Sequence, residues 1–303
     1  MNSLFSKLVL MFTFITSSTV IFAQTNTTDP LDIKIRLALR EGDKIAPLLK
    51  DKSVDELSDI TLLMVASACG DYNAVKFLID DSIQTNVVHV GKGGIDYTIP
   101  KDKSTELDGL RETLGTAFEP LLSSYLDVRL QLGRYIRAES ECGYTPLVYA
   151  VIGGWDNIVE YLIKETIKRA SAEKAIEYIN KKDCHGWNAI LYSVSYKEQT
   201  SEDKKSARVN LFSTLVKNSA DTKVKGTFKE GELDLIGIAT KYEHLELIKY
   251  FRKSYTLVKG TGTKELVAMF FGDKQEITKS IKSALEIASK ELKEELTAWE
   301  KEL

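Results

Sequence analysis

The sequence predicts an all-α fold made of helix–turn–helix units, and three observations carry that expectation. Only five of 303 residues are Pro, against an average near ~5% of residues, so little interrupts helix. Several segments repeat one layout: a short helix containing Ala, a turn four residues later, then a second helix of Val, Ile and Leu. Residues 273–303 carry apolar side chains every three or four positions, the signature of an amphipathic helix.

Residues 1–23 read as an address. Lys7 precedes an apolar stretch from Leu8 to Ile15, a small polar run from Thr16 to Thr19, and Val20 to Ala23. That order fits a secretory signal cut after Ala23, although Ile21 is bulkier than the cleavage pattern prefers. The unbroken apolar part is shorter than the ~20 residues a membrane span needs, so a cleaved signal is expected rather than an anchor. Residues 24–30 then form a linker. The expected product is exported, periplasmic or secreted, with no membrane insertion after signal removal.

The repeated layout occupies residues 31–272. In the clearest copy, Gly143-Tyr144-Thr145-Pro146-Leu147-Val148-Tyr149-Ala150 is followed by Gly154-Trp155-Asp156 and then Ile158-Val159-Glu160-Tyr161-Leu162-Ile163. A second runs from Asp59 to Ala66, through Gly70-Asp71, to Ala74-Val75-Lys76-Phe77-Leu78-Ile79. Gly186-Trp187-Asn188-Ala189-Ile190-Leu191-Tyr192-Ser193 opens a third, and Leu235-Ile236-Gly237-Ile238-Ala239 with Leu245–Phe251 makes a fourth. Half-copies stand at the ends: Ile35–Ala38 with Gly42-Asp43, and Leu266-Val267-Ala268 with Gly272-Asp273. Thr145 suits a helix N-cap, and Pro146 at the first helical position forfeits only an N–H that has no helical partner.

These segments resemble the ankyrin repeat, whose signature is G-x-T-P-L-H-x-A followed by a turn and a V-x-x-L-L-like helix. The copy at Gly143 keeps Thr, Pro and Leu together, with Val148 in place of the His. The copies at Asn188 and Asp234 rest on layout more than on letters. Counted at Ala38, Ala66, Ala150, Ser193, Ala239 and Ala268, the steps are 28, 84, 43, 46 and 29 residues. Against a family period of about 33, the long step requires a large insertion. The resemblance implies a solenoid in which each unit buries its apolar face only against its neighbours.

That insertion spans about residues 81–139. Val87–Val90 and Ile95–Ile99 around Gly91-Lys92-Gly93-Gly94 suggest a β-hairpin. The Gly-Lys-Gly-Gly run lacks the Gly-Lys-Ser/Thr ending of a phosphate loop, so a turn is the better reading. Leu107, Leu110, Leu114 and Phe118, then Leu121, Leu122 and Tyr125, recur at helical spacing and should pack on the array; a docking surface is the alternative. The tail, residues 273–303, reads as one long capping helix that closes the array. A partner or self-association helix is its alternative.

Composition narrows function mostly by exclusion. With 41 Lys and Arg against 44 Asp and Glu, the net charge of −3 argues against nucleic acid as the partner. The three His (His89, His185, His244) and three Cys show no metal-ligand spacing, and no nucleophile or metalloprotease motif occurs. No catalytic residue, cofactor or metal is therefore expected. Cys69 reads as a small buried residue, and Trp155 and His244, both in inter-helix turns, as packing residues. Cys142 and Cys184 could form a disulfide in an oxidising compartment. Helix stacking at about 8–10 Å, however, exceeds the ~7 Å Cα separation that a bridge tolerates.

In ankyrin proteins the turn before each first helix projects as a finger, and fingers and first helices line a concave binding face. The resemblance places Glu141, Cys142 and Tyr144 on one finger and Cys184, His185 and Trp187 on the next. Tyr144 and Trp187 share one repeat position, where an aromatic serves either as a binding hot spot or as cover for the solenoid edge. The implied function is non-catalytic binding of an unidentified protein partner through Glu141, Tyr144, His185 and Trp187. Alternatives are a hydrolytic cleft built by the insertion, and a structural, self-assembling envelope protein.

Overall fold

The first helices of the principal pairs share one start, and three of them, with the opening helix, share one closing turn. Thr61 Oγ1 accepts from the Met64 N–H and Thr145 Oγ1 from the Val148 N–H, both at 3.2 Å. Asn188 Oδ1 accepts from the Leu191 N–H at 3.3 Å, and Asp234 Oδ1 from the Gly237 N–H at 2.9 Å. These caps satisfy otherwise orphaned N–H groups, each contributing about 1 kcal/mol. At the other end the N–H five residues beyond the Ala returns to the Ala carbonyl: Asp43 to Ala38 (2.8 Å), Asp71 to Ala66 (3.0 Å), Trp155 to Ala150 (3.0 Å) and His244 to Ala239 (2.9 Å). This closure needs a left-handed residue. Gly42, Gly70 and Gly154 supply it at φ 78°, 74° and 81°, and Glu243 supplies it at φ 59°. Gly70 is doubly required, because a Cβ there would stand 2.5 Å from the Trp155 ring.

The computed structural model describes residues 30–50, 52–53, 55–57, 60–79, 86–91, 94–98, 105–128, 135–196, 202–229, 231–260 and 273–303. The chain divides into two units, Met1–Pro30 and Leu31–Leu303. The expected signal at 1–23, the linker as far as residue 29, and the half-copy at Leu266–Gly272 lie outside the described residues.

The second unit is mostly helical. The helices are α1 (Leu31–Glu41), α2 (Ala46–Leu49), α3 (Leu62–Cys69), α4 (Tyr72–Ile79), α5 (Asp108–Leu114), α6 (Phe118–Val128), α7 (Pro146–Gly153), α8 (Asp156–Arg169), α9 (Ala172–Asn180), α10 (Ala189–Ser193), α11 (Glu202–Lys217), α12 (Leu235–Lys241), α13 (Leu245–Gly260), α14 (Lys274–Ile287) and α15 (Lys290–Glu302). They form two rows. First helices pack side by side as α3, α7 and α10, with α14 lying on α12. Second helices follow as α4, α8, α11, α13 and α15. Among the described residues no helix is long and apolar enough to cross a membrane.

The expected hairpin forms: β1 (Asn86–Gly91) pairs antiparallel with β2 (Gly94–Thr98), with an irregularity between Val87 and His89. Later in the chain, α5 and α6 pack on α3, and α5 packs on α2 as well. They bury Leu107, Leu110, Leu114, Phe118, Leu121, Leu122 and Tyr125. Two connecting tyrosines tie the linkers to the first helices. Tyr135 Oη accepts from the Leu63 N–H at 3.1 Å. Tyr178 Oη accepts from the Leu147 N–H at 3.0 Å and donates to the Ile136 carbonyl at 2.8 Å.

Two expectations need correction. The tail is not one long helix: Ala288 is extended (ψ 144°) and separates α14 from α15. The apolar steps run on through the break, from Ala288 to Leu292, and conceal it. The break lets α14 lie on α12 while α15 lies on α13, so the tail is a terminal helix pair. The opening half-copy also differs. Its turn closes as expected, but α1 packs principally on α7 rather than on the next first helix in sequence, α3.

A buried cation joins two pairs. Arg208 of α11, 3% exposed, donates from Nη1 to the Val151 carbonyl and from Nη2 to the Ile152 carbonyl, both at 2.7 Å. It thereby caps the negative end of the α7 dipole. Its guanidinium lies 3.9 Å from the Tyr196 ring centroid, and burial lowers its pKa to about 10, so it stays charged at neutral pH.

Candidate functional site

The turns that precede α7 and α10 share one backbone. In 140–144 the Ser140 N–H donates to the Tyr144 carbonyl (2.9 Å) and the Gly143 N–H to the Ser140 carbonyl (2.8 Å). In 183–187 the Asp183 N–H donates to the Trp187 carbonyl (2.8 Å) and the Gly186 N–H to the Asp183 carbonyl (3.0 Å). Gly143 and Gly186 sit at φ 85° and 76°, which only glycine adopts without strain. A short hairpin, β3 (Gly226–Phe228) with β4 (Gly231–Leu233), stands in the corresponding place before α12.

Adjacent turns touch through backbone, not through helices. The Cys184 N–H donates to the Cys142 carbonyl at 2.7 Å. The two Cys are bridged at a Cα separation of 4.9 Å. Helix-stacking distance therefore misjudged this pair, because the tips meet at hydrogen-bonding distance while the helices behind them do not. Across the 42-residue separation the bridge restricts the unfolded chain, a stabilisation of about 4 kcal/mol in the chain-entropy account.

Two buried carboxylates shape the turns from inside. Asp183, 9% exposed, accepts from the His185 N–H (2.8 Å) and the Trp187 N–H (2.9 Å), and also from the Tyr192 hydroxyl. Asp32 of α1, 3% exposed, accepts from Ser140 Oγ (2.7 Å) and the Cys142 N–H (2.8 Å). Beneath them runs an aromatic row: Tyr149 to Tyr144 (5.8 Å), Tyr144 to Tyr192 (6.1 Å), Tyr192 to Trp187 (5.3 Å) and Trp187 to Phe228 (5.4 Å). Lys241 Nζ stands 5.0 Å from the Phe228 centroid, closing the row with a cation–π contact. Burial pushes the Tyr144 phenol up to about 12, and raises those of Tyr149 and Tyr192 as well, so all three are neutral at physiological pH.

No protein-family model matches this chain, and no curated protein matches it.

The structure sorts the candidate residues. Glu141 and His185 are exposed at adjacent tips, and Trp187 is half-buried between Tyr192 and Phe228. Tyr144 is fully buried (0% exposed), which removes it from any exposed binding surface. Its ring is enclosed by Tyr149 of α7 and Tyr192 of α10. Trp155 packs over Gly70 and donates from Nε1 to the Ala68 carbonyl at 3.1 Å, and His244 is buried, as read for both. Cys69 is half-buried, and burial pushes its thiol up to about 11.

Sequence reasoning missed Asp183, Asp32 and the Phe228–Lys241 end of the row. Asp183 had a faint signal, since it aligns with Ser140 and an acceptor there can close the turn. Asp32 had none, because its partners lie more than a hundred residues away. Away from the turns, a cavity of about 260 Å³ lies among α11–α14, lined chiefly by Phe212, Val216, Leu235, Ile236, Tyr250 and Phe251. Asp234 on its wall is engaged as the α12 cap and accepts from Ser280.

Removing the Asp183 carboxylate should loosen the finger row. Asp183→Ala leaves two backbone N–H groups and a buried phenol without their acceptor, a loss of about 2–4 kcal/mol. A urea titration checks it, and a midpoint within error of the parent would mean that solvent replaces the carboxylate.

Proposed function

We propose that this chain is an ankyrin-type repeat protein, exported under the direction of residues 1–23, that binds a protein partner through its stacked finger tips and performs no chemistry of its own. One observation carries the reading. The turns at 140–144 and 183–187 repeat the same backbone, are fixed to each other by a hydrogen bond and a bridge, and present Glu141 and His185 on adjacent tips with Trp187 beside them. Such a surface is rigid before the partner arrives, so little ordering entropy is lost on binding. The two helical rows and the common turn closure support the ankyrin assignment. The disulfide supports export, because such bonds persist in oxidising compartments.

The hydrolytic alternative loses its footing in the insertion, whose described helices contribute Leu110, Leu114 and Phe118 to the core rather than converging polar groups. Self-assembly through the tail is disfavoured by the burial of its apolar face against α12 and α13.

Because Tyr144 is buried, truncating it would disturb the fold instead of probing the surface. The informative variant reverses exposed charge and removes an imidazole, Glu141→Lys with His185→Ala. Capture of the native partner should fall about tenfold or more while the helical circular dichroism is unchanged. Equal capture by parent and variant would move the binding face elsewhere.

A further inference from the structure

Cys142, Cys184 and His185 bring two sulfurs and an imidazole together on neighbouring tips. One ligand atom from each lies within 4.8 Å of the other two. The framework that places them does not depend on the S–S bond. The Cys184 N–H is held by the Cys142 carbonyl at 2.7 Å, and the His185 N–H by Asp183 Oδ1 at 2.8 Å. Cys142 is buried, whereas Cys184 and His185 are exposed, so a reductant or a cation meets these tips from the Cys184 and His185 side. Two thiolates and a neutral imidazole are the donor set that favours zinc, at about 2.3 Å to sulfur and 2.0–2.1 Å to nitrogen. A Cα separation of 4.9 Å leaves the two sulfurs free to move apart around an ion by side-chain rotation.

We propose that reduction of the Cys142–Cys184 bridge converts these two finger tips into a Zn²⁺ site, with Cys142 Sγ, Cys184 Sγ and a His185 ring nitrogen as protein ligands and the fourth position open. A dithiol reductant supplies two electrons and two protons: the S–S bond breaks, two thiols form, and the reductant closes its own disulfide. Zn²⁺ then displaces both thiol protons. The bridge and the ion are mutually exclusive ties between the same two turns, so in the reduced chain Zn²⁺ takes the place that the bridge holds in the oxidised one. The inference rests on the geometry of these turns and stands apart from the partner-binding reading.

The test uses the full chain with Co²⁺ as a spectroscopic stand-in for Zn²⁺. The chain is reduced with a phosphine, desalted without oxygen and titrated with Co²⁺ alone, beside an oxidised sample. The reduced chain should show a thiolate-to-cobalt charge-transfer band that saturates at one equivalent and disappears when Zn²⁺ is added; the oxidised chain should show none. Cys184→Ser should abolish the band, while Cys69→Ser should leave it intact. His185→Ala should weaken Co²⁺ binding about tenfold or more, since disturbing even an outer-shell partner costs 10–100-fold. The idea is overturned by the absence of a band in the reduced, folded chain, by equal affinity of oxidised and reduced protein, or by an unchanged affinity in His185→Ala.

Discussion

Trp299→Ala should lower the stability of the protein by about 3–5 kcal/mol, the range for removing a fully buried large aromatic. Trp299 is 0% exposed, lies on α15 beside Leu292 and Leu296, and meets Tyr255 of α13 at a centroid distance of 6.3 Å. Alanine there would leave a void where α15 meets the last repeat-like pair, and the terminal pair would detach first. The polar edge of the same contact does not compensate. Arg252 of α13 bonds Glu295 at 2.9 Å and also Glu302, but these groups are partly exposed, and such pairs contribute little. A urea midpoint and hydrogen exchange along α13 check the expectation, with protection on α13 lost before that on α7. If α15 served as a docking helix for another molecule, truncation would leave monomer stability within about 0.5 kcal/mol, as surface changes do.

What was legible in the sequence was local. Thr145 and Pro146 announced the start of α7, and Gly42, Gly70 and Gly154 announced the turns between helices, because each acts within one helical turn of itself. The tail showed its apolar face but not its break: the spacing at Ala284, Ala288, Leu292 and Leu296 is the same whether the helix continues or folds back. Only contact with α12 and α13 decides between them. The bridge was judged from the distance between helix axes, whereas Cys142 and Cys184 sit on turns joined by a backbone hydrogen bond. Exposure at the fingers divided in the same way. Glu141 and His185 are charged or polar residues at tips and stayed there, while Tyr144 and Trp187, at one repeat position, differ in burial because their neighbours differ. Tyr144 is enclosed by Tyr149 and Tyr192, and Trp187 faces the open β3–β4 hairpin through Phe228. Such differences come from long-range packing, which repeat letters do not encode.

His244 should make the protein sensitive to mild acid. Its ring is 2% exposed, stacked on Tyr196 at 3.9 Å, with Tyr242 on a second side at 6.2 Å. Burial pushes its pKa down to about 3; the fixed Arg208 charge acts in the same direction, and the Tyr196 backbone opposes both. In the unfolded chain the imidazole titrates near ~6.5, so between about pH 6.5 and 3 the unfolded state binds the extra proton. Stability therefore rises with pH across that window, by about 1.4 kcal/mol per unit from this one group, and is fully present above it. Between pH 7 and 5, where most carboxylates remain ionised, the loss on acidification should be about 2 kcal/mol. Replacing the ring by one that cannot titrate isolates the effect. His244→Phe keeps an aromatic face against Tyr196 and, whatever its own stability at pH 7, should lose about 2 kcal/mol less than the parent on going to pH 5. Parallel urea midpoints for the two proteins across that interval would show that the imidazole charges without cost, by swinging out of the stack, and would place the acid sensitivity of the fold elsewhere.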